Sequence, residues 1–421
     1  MSSSIPAVRT ALARASVTPD SLTDAELAAL LLAEGEELDA LTGLADALRR
    51  EAVGEAVRFV VNRNVSSDLF GASVPPPSGP HAGAPRVLDL AAIGDIADDA
   101  WQLGGTEVCI QGTVPAVGED GAHAGTTPAH PFVYADIARA VKGRRPGLHL
   151  HAFRPADLVD GARRSGLGMP EFLASLREAG VDSVPGTGVK LLDEAQRRSL
   201  APGDLPVDRW LEVVRTAHGL GFRSTSIMFY GRGESPADRV AHLRTLARLQ
   251  EETGGFTEFV PMPFPELEPL VTARSELDEH RAVTAVARLA LLGRIDHLQV
   301  PWTKLGLGPS AVMLASGADD LGGTLYDGRV LPTAGVEYGR SLSIADIERT
   351  AAALGRPARQ RTTVYGEPSA ERLEAARTAE SAGAGRHAAQ ADPAPGGPPT
   401  ASRAAGAIAS GSGHSAPAAR P

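Results

Sequence analysis

The chain has 421 residues, of which 43% are hydrophobic, and its formal net charge is -10. A net negative charge argues against general nucleic-acid binding, because phosphate groups require a positive face. The sequence has no run of 18 apolar residues, which argues against a membrane span, and its one cysteine, Cys109, excludes an intrachain disulfide framework. These properties favour a cytoplasmic protein whose core is built mainly from Ala, Val and Leu.

The first residues predict a leader followed by helices. Residues 1 to about 18 read as a flexible leader, and Thr23 with Glu26 forms a capping-box pattern that predicts the start of a helix. Helical patterns continue to about Gly54, and apolar strands then alternate with amphipathic helices. The predicted strands are 57–65, 106–112, 148–153, 181–187, 223–231, 256–264, 296–302 and 311–317. The predicted helices lie near 91–103, 133–142, 170–179, 191–199, 206–219, 236–252 and 278–292.

This alternation predicts an α/β fold with a parallel sheet, because buried parallel strands are continuous apolar runs. The number of strands and the length of the segment favour a TIM-type (β/α)8 barrel. A helix at 343–355 and the segment 359–366 close the fold, so that 19–375 forms one barrel domain with helical extensions at its ends. Residues 376–421 are rich in Ala, Gly, Pro and Ser and predict a disordered tail.

Several longer motifs carry a family resemblance. They are GGFTEFVPMPF (254–264), GRIDHLQVPWTKLG (293–306), GADDLGGTL (317–325) and RPARQRTTVYG (356–366), with VVNRN (60–64) and HLHAF (149–153) before them. With these motifs in order across residues 20–366, the chain resembles the FO synthase subunit 2 family, the 5-amino-6-(D-ribitylamino)uracil–L-tyrosine 4-hydroxyphenyl transferases. That family belongs to the radical SAM enzymes, so the resemblance implies a barrel of the radical SAM kind.

The resemblance also implies a reaction. Members of the family use a 4Fe–4S cluster to reduce S-adenosylmethionine (SAM) to a deoxyadenosyl radical. The radical starts the cleavage of tyrosine, and the 4-hydroxyphenyl fragment is transferred to 5-amino-6-(D-ribitylamino)uracil. This step belongs to the biosynthesis of the deazaflavin cofactor.

The cluster motif of the family is missing here. The cluster needs three thiolates, spaced C-x3-C-x2-C, in the loop after the first barrel strand. That loop, 65–85, contains no cysteine, and the three positions fall near Gly71, Pro75 and Ser78. We therefore predict that the chain binds no cofactor and no metal and that it is inactive in the radical reaction.

Two further positions depart from the family pattern around SAM. The family follows its second strand with a Gly-Gly pair that holds the amino-acid part of SAM, and here Thr113 follows Gly112. After the fourth strand the family places a Glu against the SAM ribose, and Lys190 occupies the matching position. Three changes around one cofactor indicate that the constraint to bind it has been released.

The candidate ligand site lies at the carboxyl ends of the strands, where barrels of this type bind their ligands. We expect a ribityl-pyrimidine or a tyrosine-like small molecule to be retained there, with Lys304, Asp319 and Asp320 as its main polar contacts. No catalytic residue is assigned. The full set of candidate binding residues is Asn62, Arg63, His149, His151, Ser224, Thr225, Ser226, Trp302, Lys304, Asp319 and Asp320.

Several functions remain open on sequence grounds. The favoured one is a degenerate homologue without radical activity, which can still serve as a non-catalytic ligand-binding or partner protein. A cluster-free enzyme on the same barrel is a second hypothesis, although no Ser/His/Asp or Cys/His arrangement supports it. A third is an active transferase in which residues 65–90 were altered by a reading-frame error.

Overall fold

The computed structural model describes residues 4–74, 86–115, 131–265, 267–271, 274–325 and 341–387. Residues up to Ser381 form one compact unit. A second unit begins at Ala382, and its described residues are the last turns of a helix that ends at His387. Within the described ranges the strands are β1 (Val57–Val60), β2 (Asn62–Ser66), β3 (Ser73–Val74), β4 (Arg86–Val87), β5 (Glu107–Gln111), β6 (His149–Ala152), β7 (Ser183–Val184), β8 (Arg223–Tyr230), β9 (Phe256–Pro263), β10 (His297–Leu298), β11 (Asp320–Gly323) and β12 (Ala358–Gln360).

The helices in the same ranges surround these strands. They are α1 (Ser4–Ala15), α2 (Asp24–Leu30), α3 (Gly35–Val53), α4 (Leu90–Gln102), α5 (Val133–Arg144), α6 (Pro155–Ser165), α7 (Met169–Ala179), α8 (Glu194–Leu200), α9 (Val207–Gly219), α10 (Pro236–Thr253), α11 (Glu276–Leu291), α12 (Trp302–Leu305), α13 (Leu307–Leu314), α14 (Ile344–Ala353) and α15 (Ala370–His387). None of the helices in the described part of the chain is long and apolar enough to span a membrane.

The strands form a barrel. A parallel sheet in the order β10-β9-β8-β7-β6-β5-β2 meets a second parallel sheet in the order β11-β1-β12. The two sheets share one chain segment, because β1 leads into β2 after a single residue. On the other side, Gln299 after β10 forms a parallel bridge with Asp320 at the start of β11. The eight strand positions around this ring confirm the predicted (β/α)8 barrel.

Burial beneath the helices explains why the outward-facing residues of the barrel strands are apolar. On their outer face, side chains such as Val108, Ile110 and Leu150 are fully buried beneath the helices. The predicted capping box is also present, since the Thr23 side chain accepts from the backbone N–H of Glu26 and the Glu26 carboxylate accepts from that of Thr23. Both features are fixed by local sequence, so sequence reasoning finds them.

The predicted flexible leader is wrong for residues 4–15, which form α1. Val8, Ala11 and Ala15 are 3%, 0% and 0% exposed and join the hydrophobic cluster around α2 and α3. Their spacing of three and four residues places them on one face of the helix. This pattern is short and contains two alanines, so it gives only a weak signal of burial.

The run 311–317 is not a strand, because most of it belongs to helix α13. Short apolar runs fit a buried strand and a buried helix equally well. The eighth barrel strand is instead β11, which begins at Asp320. Asp319 and Asp320 therefore lie at the amino end of this strand, and not after a strand as the sequence interpretation placed them.

The predicted domain boundary at 376 also falls inside a helix, because α15 continues to His387. Ala376 is 1% exposed and packs against Gly104, where an added Cβ would lie 2.2 Å from the Ala376 nitrogen. The helix is therefore anchored on the barrel domain at the position where the tail was expected to begin. The rest of the predicted disordered tail lies outside the described residues.

Candidate functional site

Half of the barrel interior is lined by polar side chains. Alternate residues of a strand share one face, and the parallel register aligns Asn62 with Glu107 and His149 on β2, β5 and β6. The next layer aligns Asn64 with Cys109 and His151 in the same way. The predicted residues Asn62, His149 and His151 thus lie together, as the sequence interpretation expected for the two histidines.

The two histidines share one hydroxyl group. His149 Nε2 and His151 Nδ1 lie 2.7 and 2.6 Å from Ser183 Oγ on β7. Since a hydroxyl has one hydrogen, it donates to at most one ring, so at least one ring carries a hydrogen on the nitrogen that faces Ser183. Burial lowers the pKa of His149 to about 4 and that of His151 to about 3, so both rings are neutral at pH 7.

Asn62 and Trp302 meet at Gly323 on β11. The Asn62 amide donates to Glu107 Oε1 over 2.8 Å, and its oxygen accepts from the backbone N–H of Leu325 over 3.0 Å. The Trp302 indole N–H donates to the carbonyl of Gly323 over 3.0 Å. A Cβ on Gly323 would lie 2.2 Å from Asn62 Oδ1, so only glycine permits this approach. These two predicted residues are therefore brought together across the first and last strands.

The other half of the interior is apolar. Its residues come from β8, from β9 and from the loops next to them: Leu191, Ile227, Phe229, Val260 and Phe264, with Met262 against them. The ammonium groups of Lys304 and Lys190 lie 5.5 and 5.9 Å from the centroid of the Phe229 ring. Lys190 is also paired with Asp204 at 2.7 Å. Lys304 thus lies at the carboxyl end of the barrel, beside an aromatic ring.

Glu258 on β9 and Arg361 after β12 are buried functional candidates that the sequence interpretation missed. Both residues are 4% exposed. Arg361 pairs with Asp320 and lies over the Tyr365 ring, 4.1 Å from its centroid. Burial raises the pKa of Glu258 to about 7, and the Arg361 charge opposes part of that shift. A charged residue inside the apolar run FTEFVPMPF was the signal that could have identified Glu258.

Four of the predicted binding residues form hydrogen bonds or ion pairs with other parts of the chain. Arg63 pairs with Asp99 on α4 at 3.2 Å. Ser224 Oγ is hydrogen-bonded to His218 on α9 at 2.6 Å. The Thr225 hydroxyl accepts from the backbone N–H of Gly186 over 2.9 Å, and the Ser226 hydroxyl donates to the Glu258 carbonyl over 2.7 Å. The structure does not bring Arg63 or Ser224 to the polar interior, because each is held by a helix outside the sheet.

Asp319 is fully buried at the amino end of the barrel. Its carboxylate lies 3.1 Å from Arg288, 3.4 Å from Arg58 and 2.7 Å from His297 Nδ1, and it accepts from the backbone N–H of Leu298 over 2.8 Å. Burial raises the pKa of Asp319, but the His297 and Arg288 contacts hold it below its usual value. A carboxylate with this many protein donors joins strands and helices together.

The loop that would carry the cluster begins as a small hairpin. Gly71 donates its backbone N–H to the carbonyl of Leu88 over 2.8 Å, and β3 pairs with β4 in antiparallel fashion. Of the three positions matched to the family's cysteines, Gly71 therefore forms a backbone turn contact. Pro75 and Ser78 lie outside the described residues.

The turn after β5 is closed by contacts within the protein. Asp157 accepts from the backbone N–H of Gly112 over 3.1 Å and from the Thr113 hydroxyl over 2.9 Å. Asp157 is also paired with Arg154 at 3.0 Å, and Ser67 donates its hydroxyl to the Gly112 carbonyl over 2.5 Å. The hydrogen-bonding groups of this turn are thus already occupied by side chains of the chain itself.

The residues present do not fit an iron–sulfur cluster. The chain has one cysteine, whereas such a cluster needs three thiolates. Burial raises the pKa of the Cys109 thiol, which accepts a hydrogen bond from Gln111 at 3.1 Å. In the ranges that the structure describes, no group of three or more His, Cys, Asp or Glu residues is arranged to hold a metal ion.

Comparison with known proteins places this barrel in a superfamily. The model of the radical SAM superfamily matches residues 73–246. Among solved structures, the FeFe-hydrogenase maturase HydG from Carboxydothermus hydrogenoformans aligns with a TM-score of 0.61 and 13% identity, covering 90% of this chain and 89% of that one. At this identity the likeness concerns the fold, and it agrees with the barrel described above.

Curated relatives define the family. The chain is 45% identical to FO synthase of Streptomyces coelicolor over 387 residues, which cover 89% of this chain and 43% of that protein. This chain therefore spans less than half the length of that relative. It is 35% identical to 5-amino-6-(D-ribitylamino)uracil–L-tyrosine 4-hydroxyphenyl transferase 1 of Methanosarcina barkeri over 331 residues, covering 76% of this chain and 85% of that protein. The chain thus belongs to the family of these hydroxyphenyl transferases, within the radical SAM superfamily.

Proposed function

We propose that this chain binds a small aromatic molecule inside its barrel and does not cleave SAM. The observation that carries the proposal is the two-sided interior, with polar side chains on β2, β5, β6 and β7 and apolar side chains on β8 and β9. A flat ring with hydrogen-bonding substituents matches such a lining, since its face packs on the apolar side and its edge meets the polar side.

The chemical class of the ligand follows from the family. The Methanosarcina barkeri relative is named for a ribitylaminouracil and for tyrosine, and both molecules are flat rings with polar substituents. Lys304 remains our proposed polar contact at the carboxyl end, next to Phe229. We place the protein in deazaflavin cofactor biosynthesis as a degenerate family member that holds a ligand of the pathway.

The proposal excludes radical chemistry because the parts for it do not fit. The loop 65–85 offers no thiolate, and the turn at Gly112 is closed by Asp157 and Ser67. The matching position for the SAM ribose holds Lys190, whose ammonium is paired with Asp204. These three features lie in the part of the barrel that the family uses for its cofactors.

Anaerobic reconstitution tests this exclusion. We expect iron and sulfide analysis to find no stoichiometric cluster, and we expect no 5′-deoxyadenosine from SAM under reduction. Loading close to four irons per chain, or formation of 5′-deoxyadenosine, would overturn it. The high identity to FO synthase favours an active transferase as the second candidate. Resequencing the DNA that encodes residues 65–90 decides whether a reading-frame error removed the cysteines.

Calorimetry tests ligand binding. We expect heat with tyrosine or with 5-amino-6-(D-ribitylamino)uracil at millimolar concentration. Phe229→Ala should weaken binding about tenfold, because the buried ring provides an apolar surface for the ligand. Ile5→Ala is the control, since that side chain is 49% exposed on α1. Absence of heat with both ligands, from protein shown to be folded, would contradict the proposal.

A further inference from the structure

Two buried oxygen acceptors in the barrel interior lack partners. Glu258 is 4% exposed, and its Oε2 has no hydrogen-bond partner. The same is true of Asn64 Oδ1 on β2. A buried acceptor without a donor costs on the order of 1–3 kcal/mol, so native proteins rarely leave one unfilled. Each of these two oxygens therefore requires a donor that does not come from the described part of the chain.

The two acceptors lie on different strands of the barrel, β2 and β9. Asn64 is aligned with Cys109 in the register of β2 and β5. Glu258 alternates with Val260 and Met262 along β9, so it lies on the face of that strand that lines the interior. An amide oxygen on β2, the Cys109 thiol on β5 and a carboxyl oxygen on β9 thus all belong to the lining of the interior.

The charges around Glu258 leave an excess of acceptors. The groups that act on it are Arg361, Asp320, Glu107 and the hydroxyl of Thr257, and its register partner on β10 is His297. Arg361 is already paired with Asp320 and stacked on Tyr365. Glu107 accepts from the Asn62 amide, and His297 is bonded to Asp319. Of the groups that act on Glu258, Arg361 is thus a cation that already has a carboxylate partner, while Asp320 and Glu107 are acids.

We propose that Glu258 and Asn64 accept the nitrogen-borne hydrogens of a small ligand inside the barrel. The donor is either the ammonium group of an amino acid or the N–H edge of an aminopyrimidine, because both present hydrogen on nitrogen. This inference rests on the proposed function and names the group of the ligand that the polar side chains of the interior recognise. It assigns a binding role to two residues that lie on opposite sides of the barrel.

The proposal predicts a dependence on pH. Burial raises the pKa of Glu258 to about 7, so the carboxyl group is largely protonated at pH 6 and ionised at pH 8. An N–H donor binds the ionised form better, because a carboxylate is the stronger acceptor. If only the ionised form binds, the Kd should be about tenfold higher at pH 6 than at pH 8.

Calorimetry at pH 6 and pH 8 with the full chain tests the idea. The probes are 5-amino-6-(D-ribitylamino)uracil, tyrosine, and 3-(4-hydroxyphenyl)propanoate, which is tyrosine without its ammonium group. If the donor is the ammonium, tyrosine binds with the pH dependence and the propanoate binds about tenfold more weakly or not at all. If the donor is the aminopyrimidine edge, the ribitylaminouracil shows the pH dependence.

The same calorimetry on variants is the second test. Glu258→Gln keeps the shape of the side chain and should remove the pH dependence and weaken binding about tenfold at pH 8. Asn64→Ala should weaken binding at both pH values. Glu252→Gln is the matched control and should behave as wild type, because its side chain is 50% exposed on α10. Circular dichroism confirms that each variant is folded.

The outcomes separate this inference from the proposed function. Ligand binding that is independent of pH and unchanged in Glu258→Gln overturns the inference and leaves the proposed function standing; the two oxygens would then hold internal water only. Absence of binding by wild-type protein with every probe overturns both.

Discussion

The two ends of the barrel use their polar residues differently. At the amino end, Asp319 is surrounded by Arg288, Arg58 and His297, and its oxygens are saturated by the protein. Arg356 donates there to the carbonyls of Leu314, Ala318, Glu55 and Ala56. At the carboxyl end, the loop residues that the resemblance marks as departures, Thr113 and Lys190, each contact one carboxylate, Asp157 or Asp204. Stability is concentrated at one end, and change at the other.

This difference follows from the architecture of the fold. Loops at the carboxyl ends of barrel strands shape the ligand site and can vary, whereas the amino end supports the barrel. Buried arginines can satisfy several backbone carbonyls at once, because a guanidinium group offers five N–H donors. Substitutions in these loops therefore need not disturb the fold, and the chain forms a barrel although the loop 65–85 contains no cysteine.

Breaking the amino-end network should have the largest effect. Arg288→Ala leaves the Asp319 carboxylate without a main partner in a fully buried place, so we expect a loss of about 3–5 kcal/mol in the free energy of unfolding. Urea denaturation measures it. Arg281→Ala is the control, because its partner Asp39 is 70% exposed, and its cost should stay below about 1 kcal/mol. Equal losses in both variants would contradict the comparison.

Removal of helix α15 should have the next largest effect. Arg372 lies 3.6 Å from the centroid of the Trp101 ring and donates to the Trp101 carbonyl, and Ala376 is buried. Ending the chain before Ala370 should therefore cost about 2–4 kcal/mol, through loss of these contacts. Ending it after His387 should leave the thermal midpoint close to that of wild type. Similar midpoints for the two truncations would show that the helix contributes nothing.

Glu258→Gln should change how the free energy of unfolding depends on pH. The folded-state pKa of Glu258, about 7, lies above its ordinary value of 4.5, so the unfolded chain releases the proton first. Its contribution to stability is therefore present below about pH 4.5 and is lost as pH rises through 7. We expect Glu258→Gln to remove a decline on the order of 1–3 kcal/mol between pH 5 and pH 8, measured by urea denaturation at several pH values.

The buried histidines affect the pH dependence of stability in the opposite direction from Glu258. They are present in wild type and in the variant, so their effect is common to both measurements. Burial lowers the pKa values of His149 and His151. Their contribution to the stability of the folded protein is therefore lost as pH falls below about 6.5, both in wild type and in Glu258→Gln. A slope between pH 5 and 8 that is the same with and without Glu258 would contradict the prediction.

Thr113→Gly should have the smallest effect. It removes the hydroxyl that donates to Asp157 and restores the second glycine of the family pattern, so we expect a loss of about 1 kcal/mol. We expect no gain in SAM binding by calorimetry, because Asp157 still holds the Gly112 amide. Binding of SAM by this variant would show that one side chain, and not the whole loop region, blocks the cofactor.

Much of the fold could be predicted from the sequence. The helices near 133–142, 236–252 and 278–292 were located within a few residues, because their hydrophobic spacing is a local signal, as are the Ser caps of the last two. Helix α6 and helix α13 were missed or misassigned. In α13 the apolar run is too short to separate a helix from a strand by its period alone.

The candidate site was predicted only in part. His149 and His151 alternate on one strand, so their common face was visible in the sequence. Nothing local indicated that Ser183 lies between them, since that contact joins two strands separated by two helices. The assignment of Asp319 depended on which side of β11 it lies, and a shift of the strand by a few residues moved it from one end of the barrel to the other.

The sequence by itself determined the family, the barrel and the absence of cluster cysteines, because motifs, apolar periodicity and residue identity are properties of the chain order. The tertiary structure decided which polar groups are paired within the protein and which buried oxygens have no partner among the described residues. Asp319 and Glu258 are both buried acids of the barrel, yet one is saturated by donors and the other keeps a bare oxygen. That distinction depends on which donor groups from other strands lie within about 3 Å of each carboxylate, and the sequence of a single strand does not specify them.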